Sequence, residues 1–212
     1  MTTKRKGELV IYEILIVILV IILIGTILYP KSVWKKLETD TTICRDRMMR
    51  ISDAEVLYIQ GTNEYSDSLD AVLEFVKNSP IFTSDSVMAA LRDTFYVKLI
   101  VDYFRDYENM ATKPATDSAF SLVGNYPDSV FMPIVDRMLD SLKCCPTVGR
   151  PYHLTVVDTS AIKVCKISCP INQEDIERAN SNFWFHTIGG GKLTNHGKVE
   201  NGEPSWQPMK RK

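Results

Sequence analysis

Residues 9–29 read LVIYEILIVILVIILIGTILY, an apolar run interrupted by one charge. As a helix rising about 1.5 Å per residue it would be about 31 Å long, against a hydrocarbon core of about 30 Å. The run is rich in Val and Ile, which are only middling helix formers in water. In lipid the backbone has no other way to satisfy its hydrogen bonds, so helix is forced. Lys4, Arg5 and Lys6 precede it, as they would a signal peptide, but the run is too long and no small-x-small cleavage site follows. A retained transmembrane helix is therefore expected, with residues 1–8 as a short basic tail. Tyr29 and Trp34 stand where interfacial aromatics belong. Pro30 should end or kink the span.

Two features of the span bear on partners. Basic residues flank both ends, so charge alone does not orient it. Glu13 lies about one turn inside, where a carboxylate is expensive. It either sits near the interface in neutral form or pairs with a group on a neighbouring subunit.

Beyond the span the composition is that of a soluble domain. Residues 30–60 form an amphipathic helix, with Leu37, Cys44, Met48, Ile51 and Tyr58 recurring at nearly helical spacing and Gly61-Thr62-Asn63 as a stop. Residues 61–185 make an α+β head. Tyr65-Ser66-Asp67-Ser68-Leu69, Thr83-Ser84-Asp85-Ser86-Val87 and Tyr126-Pro127-Asp128-Ser129-Val130 each set Ser or Asp before an apolar run. Such side chains accept hydrogen bonds from free N–H groups at helix starts, so short helices are expected over 67–77, 85–92 and 128–142. The β-branched and aromatic segment 94–104 suits a strand, as does 119–123. The clearest β element is a hairpin, 152–157 and 162–168, around Asp158-Thr159-Ser160. A short helix over 173–180 follows. Residues 186–212, with Gly189-Gly190-Gly191 and a polar end, should be loosely ordered.

The chemistry-bearing residues exclude more than they assign. A net charge of −1 argues against nucleic-acid binding. The terminal Lys210-Arg211-Lys212 reads as a solvated chain end. No serine lies in a Gly-x-Ser-x-Gly elbow. Gly189-Gly190-Gly191-Lys192 lacks the first glycine and the hydroxyl residue of a phosphate loop. His153, His186 and His196 have no metal-motif spacing, so core or surface roles are expected and no catalytic residue, cofactor or metal is assigned. Of five cysteines, Cys44 is alone on the amphipathic helix, while Cys144, Cys145, Cys165 and Cys169 bracket the hairpin. In an oxidising compartment a disulfide from Cys169 to Cys145 or Cys144 would span it. The rivals are unpaired thiols, or a four-cysteine zinc site in which Cys165-x₃-Cys169 is a loose knuckle and the adjacent Cys144-Cys145 cannot be one.

The order of these parts resembles the type IV pilins and type II secretion pseudopilins. Lys4-Arg5-Lys6-Gly7 precedes the apolar run. Asn63-Glu64-Tyr65-Ser66-Asp67-Ser68-Leu69 is similar to that family's Gly-x-Tyr-Pro-x-Ser-Leu stretch. Cys145-Pro146-Thr147-Val148-Gly149-Arg150-Pro151-Tyr152 and Cys169-Pro170 resemble its Cys-Pro-x-x-Gly-x-x-Tyr … Cys-Pro hairpin. The resemblance implies a long helix packed on a small antiparallel sheet and an extracytoplasmic head on a single-pass inner-membrane anchor. It also implies a structural or assembly role, with the bilayer and other envelope proteins or further copies as partners. Gly7 and Glu8 would form the processing site, and Tyr12 and Glu13 the assembly positions. The family places a hydrophobic residue after the glycine and Glu at the fifth position. Here Glu8 follows Gly7, Tyr12 is fifth and Glu13 comes one place late. A single-helix accessory subunit of a larger membrane complex is the alternative.

Overall fold

The computed structural model describes residues 3–106, 128–159 and 162–206. The chain is α+β and divides into two compact units, Met1–Thr39 with Asn172–Thr194 and Asp40–Ile171 with Asn195–Lys212. One helix, α1 (Thr3–Thr62), supplies residues to both. It runs through Pro30 as one helix, so of the two outcomes expected at that residue the span does not end there. Proline withdraws one N–H donor from the ladder. Nearby hydroxyls bond to helix carbonyls, Thr26 Oγ1 to Leu23 O and Ser32 Oγ to Tyr29 O, each at 2.8 Å.

The first stretch of α1 is bare. Its apolar window has a mean hydropathy of 2.7, and none of it is buried. The helix is thus long and apolar enough to cross a membrane. In the first unit it is joined by α6 (Gln173–Ser181) and a π-helical turn, Phe183–Ile188. Asn172 and Asp175 form a reciprocal capping box at the start of α6.

From Asp40 onward α1 belongs to the second unit, where Cys44, Met48, Ile51 and Ala54 are fully buried. The expected amphipathic stripe is therefore the core seam. The helix ends at Thr62, where Asn63 takes the left-handed conformation, φ 59°, and its N–H bonds to Ile59 O. Gly61 serves packing instead: a Cβ there would stand 2.4 Å from Phe75 Cζ. Phe75 in turn meets Tyr58 and Phe82 edge-on.

Around α1 lie α2 (Leu69–Asn78), α3 (Ile81–Ser84), α4 (Ser86–Asp106) and α5 (Asp128–Leu142). Ser68 caps α2, and the Asp85 carboxylate accepts from the N–H groups of Val87 and Met88. These starts follow the sequence signals. The end of α4 does not, because the segment expected as a strand over 94–104 is helical. Phe95, Val97, Leu99, Ile100, Val101 and Tyr103 are all buried. A helix covered on several sides loses its apolar period and reads like a buried strand. The strand expected over 119–123 lies outside the described residues.

The sheet is an antiparallel meander, β1 (His153–Thr159), β2 (Ile162–Ser168), β3 (Lys198–Glu200) and β4 (Glu203–Pro204). The expected hairpin is β1–β2, with Thr159 opposite Ile162. Its third and fourth strands come from the segment expected to be loosely ordered. Val199 is fully buried opposite Ile167, so one apolar residue among polar neighbours was enough to fix that strand.

Charges tie α4 to α1. Asp102, 5% exposed, accepts from Arg50 Nε at 2.7 Å and lies 3.6 Å from Arg105. Arg105 also bonds Asp46 and Asp106, and Lys98 reaches Asp53 at 3.0 Å. Removing one member of a buried ion pair strands its partners. Asp102→Ala should thus destabilise the domain by about 3 kcal/mol in denaturant unfolding, while Lys77→Ala, which breaks the exposed pair with Asp136, should change it by less than about 1 kcal/mol.

Glu55 on α1 is buried too. Its Oε1 accepts the Ser66 N–H at 2.8 Å, and Oε2 is buried without a hydrogen-bond partner. Burial raises its carboxyl above the ordinary 4.5, and the Ser66 bond only partly opposes this. The folded state therefore holds the proton more tightly than the unfolded chain. The stabilisation is complete below about pH 4.5 and is lost as pH rises through the folded value. Glu55→Gln keeps the acceptor for Ser66 and should raise the thermal midpoint at neutral pH, flattening its dependence on pH above 4.5.

Candidate metal centre

Four segments distant in sequence bring Cys44, Cys145, Cys169 and His196 together. Cys44 lies on the part of α1 that belongs to the second unit. Cys145 follows α5, Cys169 follows β2, and His196 sits just before β3. Cys44 Sγ is 3.7 Å from both Cys145 Sγ and Cys169 Sγ. With a ring nitrogen of His196, the candidate ligand atoms all lie within 4.8 Å of one another, and all four residues are buried.

Each residue is held by its own backbone surroundings. After Cys145 the chain turns tightly: Gly149 N–H bonds to Cys145 O at 2.8 Å, Cys145 N–H bonds to Arg150 O at 2.9 Å, and Gly149 has φ +67°. The Thr147 N–H is directed at the Cys145 sulfur and favours its thiolate. Arg47 on α1 donates to Cys144 O at 2.6 Å, and the Tyr152 hydroxyl donates to Cys44 O at 3.4 Å. Cys169 N–H bonds to Gly197 O at 3.1 Å, which ties the segment after β2 to the one carrying His196. Arg45 Nε donates to His196 O at 3.2 Å and stacks over Trp206.

The thiols and the imidazole share protons unequally. Hydrogen bonding with Cys169 and Cys44 holds Cys145 far below the usual thiol range, against the effect of burial. Cys44 is pushed far up by its bonds to Cys145 and Cys169 and by burial. For His196, burial opposes the charged form, but hydrogen bonds to Cys145 and Cys169 prevail and raise it to about 9. The site thus favours thiolate at Cys145 beside a protonated His196, and a metal ion would have to displace the imidazole proton.

The sequence expectations meet this site only in part. Cys145 and Cys169 are here, but all five cysteines are free and no sulfurs of the set stand at the 2.05 Å of a disulfide. Cys144 is half-buried and outside the set, with its backbone bridged to Pro151. Cys165 is buried apart, its thiol pushed up to about 12 by burial and then by the charge of Glu55. The loose Cys165-x₃-Cys169 knuckle is therefore not the unit that forms. Cys44 and His196 are the residues that sequence reasoning left out. Their only signal was type, a cysteine on the apolar stripe and a histidine in a polar end. Among the other positions, His153 and His186 are exposed, and Tyr12 and Glu13 lie on the bare surface of α1. Gly7 and Glu8 lie within its first turns.

No family model, curated protein or solved structure matches the chain.

Gly197 is the hinge of the His196 segment. It adopts φ +105°, and a Cβ there would stand 2.7 Å from Ser205 Oγ and 2.9 Å from Trp206 Cε3. Gly197→Ala should destabilise the domain by about 2 kcal/mol in unfolding experiments. Gly149→Ala meets no atom within 4 Å and carries only the strain of its positive φ, so it should lose less.

Proposed function

We infer that this chain is a membrane-anchored, pilin-like protein whose soluble domain lies outside the cytoplasm and serves a structural or assembly role in the cell envelope. The observation that carries the reading is α1 itself. One unbroken helix offers an apolar surface with nothing packed on it and then becomes the core seam of a domain with a small antiparallel sheet. That is consistent with pilin-like architecture. A cleaved signal fits less well, because helix continues from the apolar stretch into the folded domain with no small-residue site between them.

Aromatic side chains in the first unit support the anchor. Trp34, 58% exposed, lies about 7.5 Å along the axis from Tyr29 at about 1.5 Å per residue. Its Nε1 donates to Gly190 O at 3.1 Å. Gly189, Gly190 and Gly191 form a surface against which Val33 and Trp34 pack, and a Cβ on Gly191 would meet Val33 Cγ1 at 2.9 Å. The π-helical turn just before these glycines exposes Phe183 and Trp184, the latter 66% exposed. Exposed Trp and Phe next to the end of an apolar span suit the lipid headgroup region, where an amphipathic ring is favoured. Lys31, Lys35 and Lys36 on the same part of α1 suit lipid phosphates.

The accessory-subunit reading draws on Glu13. It is exposed among apolar neighbours on α1, where a carboxylate in lipid favours a partner on another chain. Crosslinking through position 12 or 13 separates the two, with self-adducts expected for assembly and adducts to a different protein for the accessory role.

Reconstituted into vesicles, the protein should resist high-salt and carbonate extraction. Trp34 and Trp184 fluorescence should be quenched by lipids labelled near the headgroup more than by lipids labelled at the chain end. Release of the full-length chain by salt, or tryptophans indifferent to lipid-borne quenchers, would overturn the anchored reading. Thiol labelling of intact cells at an engineered cysteine in the exposed strand β1 should succeed with an impermeant reagent if the domain is extracytoplasmic.

A further inference from the structure

We propose that Cys44, Cys145, Cys169 and His196 form a mononuclear zinc site that pins the soluble half of α1 to the loops at the end of the sheet. Zinc accepts thiolate and imidazole in tetrahedral sets of four and needs no preference from its d-electrons. With Zn–S bonds of about 2.3 Å, tetrahedral sulfurs stand about 3.8 Å apart. The two Cys44 separations are both 3.7 Å. An iron–sulfur cubane binds each ligand to a different iron and would spread the four atoms much farther apart.

The competing outcome is a disulfide, and the donor set argues against it. Three sulfurs converge, and one bond can join only two. The remaining thiol and His196 would stay buried together with no strong partner. His196 Nδ1 is already buried without a hydrogen bond. One cation satisfies the whole set. Hydrogen-bonded thiols alone would hold it less firmly, since a thiol is a weak donor and a weak acceptor.

The charges balance. Three protons in all leave the set for solvent as the metal binds, so that the sulfurs coordinate as thiolates and His196 as neutral imidazole. A zinc ion with three thiolates leaves a net charge of −1. Arg45 and Arg47 come from the same helix as Cys44 and bond the backbone of His196 and Cys144 beside the site. The Thr147 N–H directed at Cys145 Sγ is a typical outer-shell donor to a metal-bound thiolate.

The site would act as a brace. Its ligands join α1, the end of α5, the end of β2 and the approach to β3, and the domain has no disulfide to do this among its five free cysteines. The metal would also keep three converging thiols from oxidation in the compartment proposed for the domain.

The test uses full-length protein purified in detergent without chelator. Elemental analysis should find about one zinc per chain. Strong chelation should lower the thermal midpoint, and zinc should restore it. Cobalt exchanged into the site should give the visible bands and sulfur charge-transfer absorption of a tetrahedral thiolate centre. Cys44→Ser and His196→Ala should lose the metal, whereas Cys144→Ser and Cys165→Ser should keep it. Should the ligand variants fail to fold, the wild-type protein decides the matter through its thiols. After denaturation with chelator, all five cysteines should react with a thiol reagent. Metal-free protein in which only three react, with peptide mapping of a bond within the Cys44, Cys145 and Cys169 set, would overturn the proposal. So would five free thiols that bind neither zinc nor cobalt. Failure of the zinc site leaves the membrane reading intact, because extraction and quenching do not depend on it.

Discussion

Within a membrane the backbone of α1 would have to satisfy its hydrogen bonds without water over the apolar stretch, and helix is the only single-segment geometry that does so. Once that helix forms, its phase is carried onward at about 100° per residue. Because Pro30 does not break it, the phase reaches Cys44, Met48 and Ile51, which then fall on one buried face. The soluble core is thus built on a rod whose geometry the apolar stretch favours independently. In water alone Val and Ile would make this rod an indifferent helix. Packing favours helix in its second half, and lipid would favour it in its first.

Polar groups in the second unit set which neighbours that rod accepts. Asp102 draws Arg50 and Arg105 together, and Glu55 bonds the loop before α2. These bonds fix α4 and the 63–68 turn at particular heights along α1, which apolar contact alone would leave free to slide. Buried ion pairs add little net stability over a well-packed apolar core. Their effect here is on register, since a shift of one helical turn would leave a buried carboxylate facing no cation.

Much of this fold was legible in the sequence where a local signal decides the structure. The apolar run, the caps at Ser68 and Asp85, the helix over 128–142 and the β1–β2 hairpin each depend on residues close in sequence. The failures share a different cause. The 94–104 segment lacks helical periodicity because α4 is covered on more than one side, so its true signal was the cap at Asp85 far upstream. Strands β3 and β4 are short and polar, and only Val199 is fully buried, so nothing in their composition announces a sheet. The convergence of Cys44, Cys145, Cys169 and His196 was illegible for the strongest reason. Its residues are separated by 101 positions between Cys44 and Cys145 and have no knuckle spacing. Only the tertiary fold brings them together, and the two cysteines next to Pro146 and Pro170 pointed to a disulfide instead.

The position of the centre along the chain explains why the polar end can serve both units. Residues 172–194 leave the sheet-bearing unit to pack with the first part of α1, and the chain then returns to complete the sheet. Such an excursion carries a loop-closure penalty unless its base is held. Cys169 stands just before the departure and His196 just after the return. Cys169 N–H bonds to Gly197 O, and the Asn195 side chain donates to Ile171 O at 2.7 Å. The two ends of the excursion are therefore joined by backbone and side-chain bonds at the place where thiols and imidazole converge. An ion bound there would close the loop at its root.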